Sequence, residues 1–188
     1  MHSCYMGLSG SGKSHLAQIH AKVLNEKHGR ESLVFDPRYS ENPTTPGEYR
    51  AKVELVERWN NPAFITGDKE EFAEVVHNSQ NCAVFIDESV EFFDKGNFTP
   101  GVAIITRGRH DGHIVACIGQ HYYAFPPSVR NNMSSFYCFR VSHDIAKEIA
   151  KDAGDDAFRQ APKLRNRQCI AKIGDRDAFL IKTEELKL

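Results

Sequence analysis

The chain has 188 residues, of which 40% are hydrophobic and 26% are charged, and its formal net charge is −1. These values are typical of a soluble globular protein of about one domain. No stretch approaches the roughly 18 uninterrupted apolar residues of a membrane span, and no signal-peptide pattern indicates secretion, so we expect a cytosolic protein. The near-zero net charge leaves a nucleic-acid partner open, because a neutral total can hide a local basic patch.

Neither cysteine nor histidine spacing predicts a metal site. The cysteines are odd in number, widely spaced and mostly within apolar runs, which favours reduced, buried thiols over disulfides or a zinc site. They are Cys4, Cys82, Cys117, Cys138 and Cys169. His110 and His113 have a ligand-like i, i+3 spacing, but no second pair completes a site, and we interpret both as loop histidines.

A glycine-rich loop comes first along the chain. Residues 2–6 are β-compatible and lead directly into residues 7–14, which read GLSGSGKS and fit the phosphate-binding pattern GxxxxGK[ST]. In this pattern backbone N–H groups turn toward phosphate oxygens, Lys13 reaches the β- and γ-phosphates, and the Ser14 hydroxyl ligates Mg²⁺. The residues predicted to bind ATP are Gly7, Ser9, Gly10, Ser11, Gly12, Lys13, Ser14 and His15.

The elements around this loop test whether the match arises by chance. Apolar residues recur at helical spacing from Lys13 until Gly29, and a buried strand follows at residues 32–35. Strand, glycine loop and helix therefore occur in the order that a P-loop requires. This order favours a nucleotide site over a flexible Gly/Ser loop.

Two helices with clear start signals are predicted next. Thr45, followed by a proline and a glutamate at capping-box positions, predicts a helix to about Arg58 that buries Tyr49, Val53 and Val56. After a short strand at residues 63–66, a capping-box-like start at Asp68 predicts a second helix. The apolar face of that helix would carry Phe72, Val75 and Val76.

The apolar run of residues 82–86 ends in Asp87 and Glu88. It predicts a central parallel strand with acids at its carboxyl end, where α/β sheets bind ligands. Asp87 is suited to hold Mg²⁺ together with Ser14, and Glu88 to act as the base that orients an attacking water. Acidic pairs also begin ordinary loops, but the P-loop upstream favours the functional interpretation. A second acid favours hydrolysis over transfer to a bound hydroxyl.

The remaining chain is predicted to continue the alternation and then to end in a hairpin. After a loop at residues 95–97 we expect a helix at 98–109, strands at 113–118 and 136–141, a helix at 144–154, and hairpin strands at 169–173 and 178–181. The absence of repeats and linkers in the sequence favours one P-loop domain over residues 1–188. Its core would be residues 1–154, followed by a basic tail and hairpin at 159–188.

Polar residues near the strand at 113–118 complete the candidate site. Gln120 follows this strand, where its amide could hydrogen-bond the γ-phosphate or the attacking water. Arg107 and Arg109 precede the strand and Arg130 follows it. An arginine supplied to a neighbouring subunit stabilises the charge of a phosphoryl transition state. The residues alone leave open whether these arginines form a solvated loop or bind DNA phosphates instead.

The run GRHDGHIVACIGQ at residues 108–120, followed by PSVRNN from Pro127 and FRVS from Phe139, resembles the FtsK/HerA superfamily of P-loop DNA-pumping ATPases. That family has, in this order, an Arg-Gly loop, a strand ending in a sensor glutamine, a segment with arginine or asparagine, and a strand leading into FRxS. The similarity spans residues 7–154. It is greatest to the genome-packaging ATPases of tailless, membrane-containing viruses, and smaller to the filamentous-phage assembly proteins.

The resemblance implies an α/β fold, the three-layer P-loop NTPase fold with a mainly parallel central sheet of the additional-strand catalytic-glutamate type, with a small C-terminal β-hairpin. It implies an ATP- and Mg²⁺-dependent ring, a pentamer or hexamer, that packages double-stranded viral DNA into a preformed capsid. Viral portal or vertex proteins would be its partners, and a viral inner membrane would be reached only through them. Such a ring works in the host cytoplasm or at the virion vertex.

Carried over by position, the resemblance implies roles for single residues. Lys13 and Ser14 would bind nucleotide and Mg²⁺, and Asp87 would be the metal acid. Glu88 would be the base and Gln120 the sensor. Arg109 is the first choice for an arginine that acts on the neighbouring subunit, with Arg107 and Arg130 behind it.

Two departures from the family pattern bear on the sensor. Gly119 stands where a small hydroxyl residue is usual, and no proline follows Gln120 directly. These two departures affect the expected geometry of the sensor glutamine more than they affect the resemblance to this class of ATPase.

Candidate DNA contacts lie in the basic tail, for which a solvated surface is the alternative. They are Lys163, Arg165, Arg167 and Lys172. Contacts of this kind would bind phosphates without sequence preference and weaken steeply with salt.

Two other functions compete with a DNA motor. Many P-loop kinases of small molecules have this length and carry a catalytic acid near the second strand, a feature that Asp36 and Arg38 could imitate. A phage assembly protein that binds nucleotide only as a switch is the second rival.

Overall fold

Eight short strands form one sheet in the part of the chain that the computed structural model describes, residues 2–94 and 98–186. The strands are β1 Ser3–Met6, β2 Ser32–Phe35, β3 Phe64–Thr66, β4 Ala83–Ile86, β5 Ile114–Gly119, β6 Ser135–Cys138, β7 Gln168–Ile173 and β8 Phe179–Lys182. Every predicted strand is present, with ends that differ from the predicted ones by at most three residues.

The strand order is β3-β2-β4-β5-β1-β6-β7-β8. Strands β1 to β6 pair in parallel, whereas β7 runs antiparallel to both β6 and β8. The C-terminal hairpin therefore extends the central sheet. Strand β5 lies between β1, which leads into the glycine loop, and β4, which ends in the acidic pair. This insertion is the additional strand implied by the resemblance.

Helices cover both faces of the sheet. They are α1 Lys13–His28, α2 Pro46–Arg58, α3 Lys69–His77, α4 Ser89–Phe93, α5 Thr99–Arg107, α6 Pro127–Arg130 and α7 His143–Ala153. Short 3₁₀ helices are Tyr122–Ala124, Asp156–Lys163 and Thr183–Glu185. The short helices α4 and α6 were not predicted, and the loop predicted at residues 95–97 lies outside the described residues.

Strand β1 shows how the two faces are separated, because successive side chains of a strand point to opposite sides. Tyr5 packs in the layer that contains α1, whereas Cys4 and Met6 pack in the layer that contains α3, α5 and α7. All four residues of β1 are buried, and the strand pairs with β5 on one side and β6 on the other. A strand this short is therefore held by both neighbours.

The predicted helix caps are present. Thr45 and Glu48 form a reciprocal capping box at α2, and the Asp68 side chain accepts a hydrogen bond from the Glu71 N–H at α3. Gly29 ends α1 in the left-handed conformation, as a C-terminal glycine often does. These local sequence signals therefore predicted correctly where α1, α2 and α3 have these caps.

The predicted buried face of α2 was wrong. Tyr49 is 60% exposed and Val53 is 58% exposed, while Leu55 is buried. The physical reason is that α2 meets the sheet only near its end, where the buried Trp59 ring packs 5.2 Å from the Phe85 ring. Most of the helix therefore faces solvent, and the helical spacing of its apolar residues did not predict which of them are buried.

His113 lies in the loop directly before β5, as interpreted, although it is not exposed to solvent. Its ring is buried, Nδ1 accepts a hydrogen bond from the Cys82 N–H at 3.2 Å, and Nε2 lies 3.2 Å from the Val76 carbonyl. The ring is thus a structural link between strand β4 and helix α3. All five cysteines are buried free thiols, as predicted. None of the helices in the described ranges is long and apolar enough to cross a membrane.

Candidate active site

The glycine loop leaves the carboxyl end of β1 at the centre of the sheet. A Cβ atom on Gly7 would lie 2.6 Å from Phe139 Cβ and 2.7 Å from Ser11 Oγ, so only glycine fits there. Gly12 has a φ of 107°, which a side chain would strain. The loop then enters α1 at Lys13, so the N-terminal N–H groups of this helix face the loop.

Lys13 is folded back onto the loop. Its Nζ donates a hydrogen bond to the Leu8 carbonyl at 3.0 Å. Burial lowers the pKa of the Lys13 ammonium, and the carboxylates of Glu88 and Asp87 oppose that shift. The ammonium is therefore attracted to the acidic pair while it is shielded from water.

Ser14 and Asp87 are in contact across the edge of the sheet. Ser14 Oγ donates to Asp87 Oδ2 at 3.0 Å, and the Asp87 carboxyl group is buried. Burial and the nearby Asp36 raise the pKa of Asp87 to about 6, against the hydrogen bonds from Ser14 and the Glu88 N–H. A hydroxyl and a carboxylate are hard oxygen donors that fit Mg²⁺.

Glu88 follows in a rare backbone conformation. Its φ and ψ are 47° and 50°, and its N–H donates to Asp87 Oδ1 at 3.0 Å. A non-glycine residue in this region is uncommon and often marks a functional site. The Glu88 side chain is half-buried, directly after the metal-ligand candidate Asp87.

Ser89, which the sequence did not single out, joins the ends of two strands. Its Oγ donates to the Ile86 carbonyl at 2.8 Å and accepts a hydrogen bond from the Ile118 N–H at 3.0 Å. The side chain is fully buried. Ser89 therefore fixes the end of β4 against the end of β5, and a serine after an acidic pair gives no sequence signal of this role.

Gln120 lies at the same edge, directly after β5. In the sheet Gly119 is paired with Met6, and Cys117 with Ile86, so Gln120 falls between the glycine loop and the acidic pair. It is half-buried. A Cβ atom on Gly119 would lie 3.4 Å from the Phe125 ring, an ordinary van der Waals contact, so the backbone leaves room for the small hydroxyl residue usual in the family.

The fold thus brings five of the predicted residues to the carboxyl edge of the sheet. They are Lys13, Ser14, Asp87, Glu88 and Gln120.

An ion pair between a buried carboxylate and a half-exposed guanidinium lies beside this group. The Asp36 carboxylate is fully buried and accepts hydrogen bonds from Arg38 Nε at 2.9 Å and Arg38 Nη2 at 2.6 Å. Arg38 Nη2 also lies 3.7 Å from Asp87 Oδ2. The hydrogen bonds that Arg38 donates to Asp36 raise the pKa of Arg38, so the guanidinium stays charged. The pair therefore supports the position of Asp87.

Arg109 lies at the opposite edge of the sheet. It sits in the turn between α5 and β5, where the Asn81 N–H donates to the Asp111 carbonyl at 2.9 Å. Arg30 Nη1 donates to the Gly112 carbonyl at 2.7 Å, which ties the same turn to the end of α1. Strand β5 has six residues, so about 20 Å separates this turn from Gln120. The exposed Arg109 is therefore remote from the phosphate loop of its own chain.

The other two arginines differ in their surroundings. Arg107 is exposed at the end of α5, close to Arg109 in the chain. Arg130 is only 18% exposed, with Nη1 3.2 Å from Asp152 Oδ2 and 3.5 Å from Glu148 Oε1. Arg130 thus belongs to an ion-pair network with α7.

The four basic residues of the tail have different contacts. Lys172 is on β7, and its Nζ lies 3.9 Å from Asp155 Oδ2. Lys163 and Arg165 precede that strand in the chain and are exposed. Arg167 instead lies against the glycine loop, where its N–H donates to the Ser11 carbonyl at 3.1 Å. It also lines a cavity of about 500 Å³ next to Ser14.

No protein-family model matches this chain, and no curated protein matches it. Solved structures do share its fold. B204, the DNA-packaging ATPase from Sulfolobus Turreted Icosahedral Virus, is 17% identical with a TM-score of 0.69, and the match covers 95% of each chain. The genome packaging NTPase B204 from Sulfolobus turreted icosahedral virus 2, in complex with ATP-gammaS, is 16% identical with a TM-score of 0.70, covering 96% of this chain and 95% of that one.

VirB4 of Thermoanaerobacter pseudethanolicus is similar over 96% of this chain and 88% of its own, at 11% identity and a TM-score of 0.63. The fold is therefore a P-loop NTPase fold, shared with these viral packaging enzymes and with VirB4, as the motif resemblance implied.

Proposed function

We propose that this protein is a P-loop ATPase that couples ATP hydrolysis to the translocation of double-stranded DNA. Its specific role would be to package viral DNA into a capsid. The observation that carries the proposal is the arrangement at the carboxyl edge, where Ser14, Asp87, Glu88 and Gln120 surround the phosphate loop across three adjacent strands. The packaging role is supported by similar structures that are named as DNA- or genome-packaging enzymes.

The chemistry would be phosphoryl transfer to water. The loop N–H groups and Lys13 bind the phosphates, and Lys13 gives up its hydrogen bond to Leu8 to do so. Glu88 orients the water and takes its proton, while the Gln120 amide holds the water or the γ-phosphate. Ser14 and Asp87 would hold Mg²⁺, which neutralises charge on the β- and γ-oxygens.

Lys13 and Arg38, whose Nη2 lies 3.7 Å from Asp87 Oδ2, are two cations that the chain itself places beside the phosphate loop. An arginine from a neighbouring subunit would add a further positive charge at the γ-phosphate. Arg109 is exposed on a well-anchored turn, but it lies at the far edge of the sheet. In a ring, each subunit would present Arg109 to the phosphate loop of the next subunit. The amino edge of one sheet would then complete the site at the carboxyl edge of its neighbour. Arg107 is the second choice, and the ion pairs of Arg130 disfavour it.

DNA would pass through the pore of this ring, with Lys163 and Arg165 as the exposed phosphate contacts. A pentamer or hexamer, with partners at a viral portal or vertex, follows from the proposed packaging role.

The kinase alternative is weakened by Asp36. A catalytic acid must face a substrate hydroxyl, but this carboxylate is fully buried and accepts two hydrogen bonds from Arg38. The nucleotide-switched assembly protein differs from our proposal only in lacking turnover.

The deciding experiment measures ATP hydrolysis with and without double-stranded DNA, together with the native mass of the same sample. We expect multiple turnovers, stimulation by DNA, and a ring-sized mass. Glu88→Gln should lower kcat by about 10²- to 10⁴-fold while ATP still binds. Single turnover would support the switch, and phosphate transfer to a small hydroxyl compound without a DNA effect would support the kinase.

A further inference from the structure

The C-terminal hairpin holds the glycine loop through its backbone. The Arg167 N–H donates to the Ser11 carbonyl at 3.1 Å. The Arg167 carbonyl in turn accepts hydrogen bonds from the Thr183 N–H at 2.8 Å and Thr183 Oγ1 at 3.1 Å. Thr183 is fully buried. The start of β7 and the end of β8 are therefore fastened to the loop that binds phosphate.

This contact fixes the backbone of Arg167. Arg167 has a φ of 60°, a left-handed conformation that a residue with a branched or long side chain seldom adopts. A Cβ atom on Gly12 would lie 3.8 Å from Arg167 Cα and 3.5 Å from Thr183 Oγ1. The unusual backbone conformation is thus maintained where the chain touches the phosphate loop, as strained residues at binding sites often are.

The Arg167 side chain lines the cavity of about 500 Å³ that opens beside Ser14 and His15. Three other cations line it, and each lies near a carboxylate. The pairs are Lys22 with Glu26 at 3.9 Å, Arg38 with Asp36 at 2.6 Å, and Arg58 with Glu54 at 3.1 Å. Arg167 forms no ion pair within residues 2–94 and 98–186. Among the described residues its guanidinium has no carboxylate partner, so it can pair with an anionic ligand without giving up an ion pair.

The strand order tells which part of a nucleotide Arg167 meets. The acidic pair and Gln120 follow β4 and β5, on one side of β1, so the γ-phosphate belongs to that side. Arg167 precedes β7, two strands from β1 on the other side. In a P-loop the lysine reaches the β- and γ-phosphates, whereas the backbone N–H groups of the loop hold the α- and β-phosphates. Arg167 therefore faces the α-phosphate end.

We propose that Arg167 binds the α-phosphate end of the nucleotide, in place of the DNA contact predicted from the sequence. This inference rests on the proposed nucleotide-binding function. A guanidinium can hold phosphate oxygens through two parallel hydrogen bonds, which also fixes the orientation of the ligand. The hairpin would then serve the nucleotide site and not the DNA.

The test compares the affinity of the wild type and Arg167→Asn for ATP, ADP and AMP in the presence of Mg²⁺, by calorimetry. Asparagine tolerates the left-handed backbone, so the hydrogen bonds to Ser11 and Thr183 are kept. Because all three nucleotides contain the α-phosphate, we expect each Kd to rise by a similar factor, about ten- to hundredfold. Arg167→Lys keeps the positive charge but loses the two parallel hydrogen bonds of a guanidinium. Its Kd values should therefore lie between those of the wild type and Arg167→Asn.

Arg176→Asn is the matched control, since Arg176 is exposed at the turn of the same hairpin, far from the glycine loop. It should bind the nucleotides like the wild type, and thermal unfolding of each variant checks that the fold is intact. Unchanged nucleotide affinity in Arg167→Asn would overturn the inference, whether or not DNA binding falls. If the wild type itself binds none of the three nucleotides, the proposed function fails instead.

Discussion

The two edges of the central sheet carry different kinds of functional residue. At the carboxyl edge the candidate side chains are held in place, as the hydrogen bonds of Ser14 to Asp87 and of Ser89 across two strands illustrate. At the amino edge Arg109 projects from the surface, and only the backbone of its turn is anchored. A chain built this way offers a prepared site on one side and a free cation on the other. The contrast favours a site completed between copies.

The largest effect should come from Arg109→Ala. We expect ATP hydrolysis to fall by about 10³-fold or more, because an arginine that stabilises the transition-state charge is lost. The nucleotide affinity of an isolated subunit should stay unchanged, since Arg109 lies at the far edge from its own loop. Rings mixed with wild-type subunits should lose activity more steeply than the fraction of variant.

The measurement is hydrolysis rate against mixing ratio, with Arg107→Ala as the matched control from the same turn. A linear response for Arg109→Ala would remove it from this role. A steep response for Arg107→Ala alone would assign the role to Arg107 instead.

A second test concerns α1, which connects the two edges. Its His20 Nδ1 lies 2.6 Å from the Tyr5 hydroxyl, and burial lowers the pKa of His20 to about 4, from an ordinary value of 6.5. Protonation of His20 therefore favours the unfolded chain, so its contribution to stability is full above pH 6.5 and falls as the pH drops toward 4. The raised pKa of Asp87 acts with the opposite sign in this range, so the His20 contribution is read from the difference between wild type and the variant. The loss from His20 should reach about 3 kcal/mol.

Denaturant unfolding between pH 7 and pH 4.5 measures this loss. His20→Gln, which cannot titrate, should flatten the pH dependence. His2 continues to titrate in this variant, because burial lowers its pKa to about 4 as well. An identical pH dependence in His20→Gln and wild type would contradict the account.

The smallest effect is expected for Lys172→Ala. Because Lys172 lies 3.9 Å from Asp155 and is mostly buried, its loss should cost about 1 kcal/mol of stability or less. It should leave the salt dependence of DNA binding unchanged. Lys163→Ala combined with Arg165→Ala should instead reduce the slope of log K against log salt by about 2. A reduced slope for Lys172→Ala would return this residue to the DNA surface.

Local sequence signals predicted the part of the site that depends on one segment. The glycine loop, the acidic pair and the helix caps all follow from residues close together in the chain, and their backbone positions agree with the structure. Gln120 was predicted from its place after a strand, but its position between β1 and β4 depends on strand order, which the motif resemblance rather than local pattern supplied.

Contacts between distant segments were not predictable in this way. The periodic apolar residues of α2 suggested burial, yet nothing in them tells how far the helix stands from the sheet. The bond from Arg167 to Ser11 joins residues at opposite ends of the chain. In the sequence, Arg167 was indistinguishable from the other basic residues of the tail. Its assignment required the antiparallel return of β7 to the sheet.

Lys13 and Ser14 have one more consequence for turnover. Both are already hydrogen-bonded within the chain, to the Leu8 carbonyl and to Asp87. An arriving nucleotide replaces these internal partners, so the net gain in binding is smaller than the number of new contacts suggests. When product leaves, the same two bonds can re-form without waiting for solvent. For the ATPase that we propose, these internal partners would favour release of the product and a prompt next cycle.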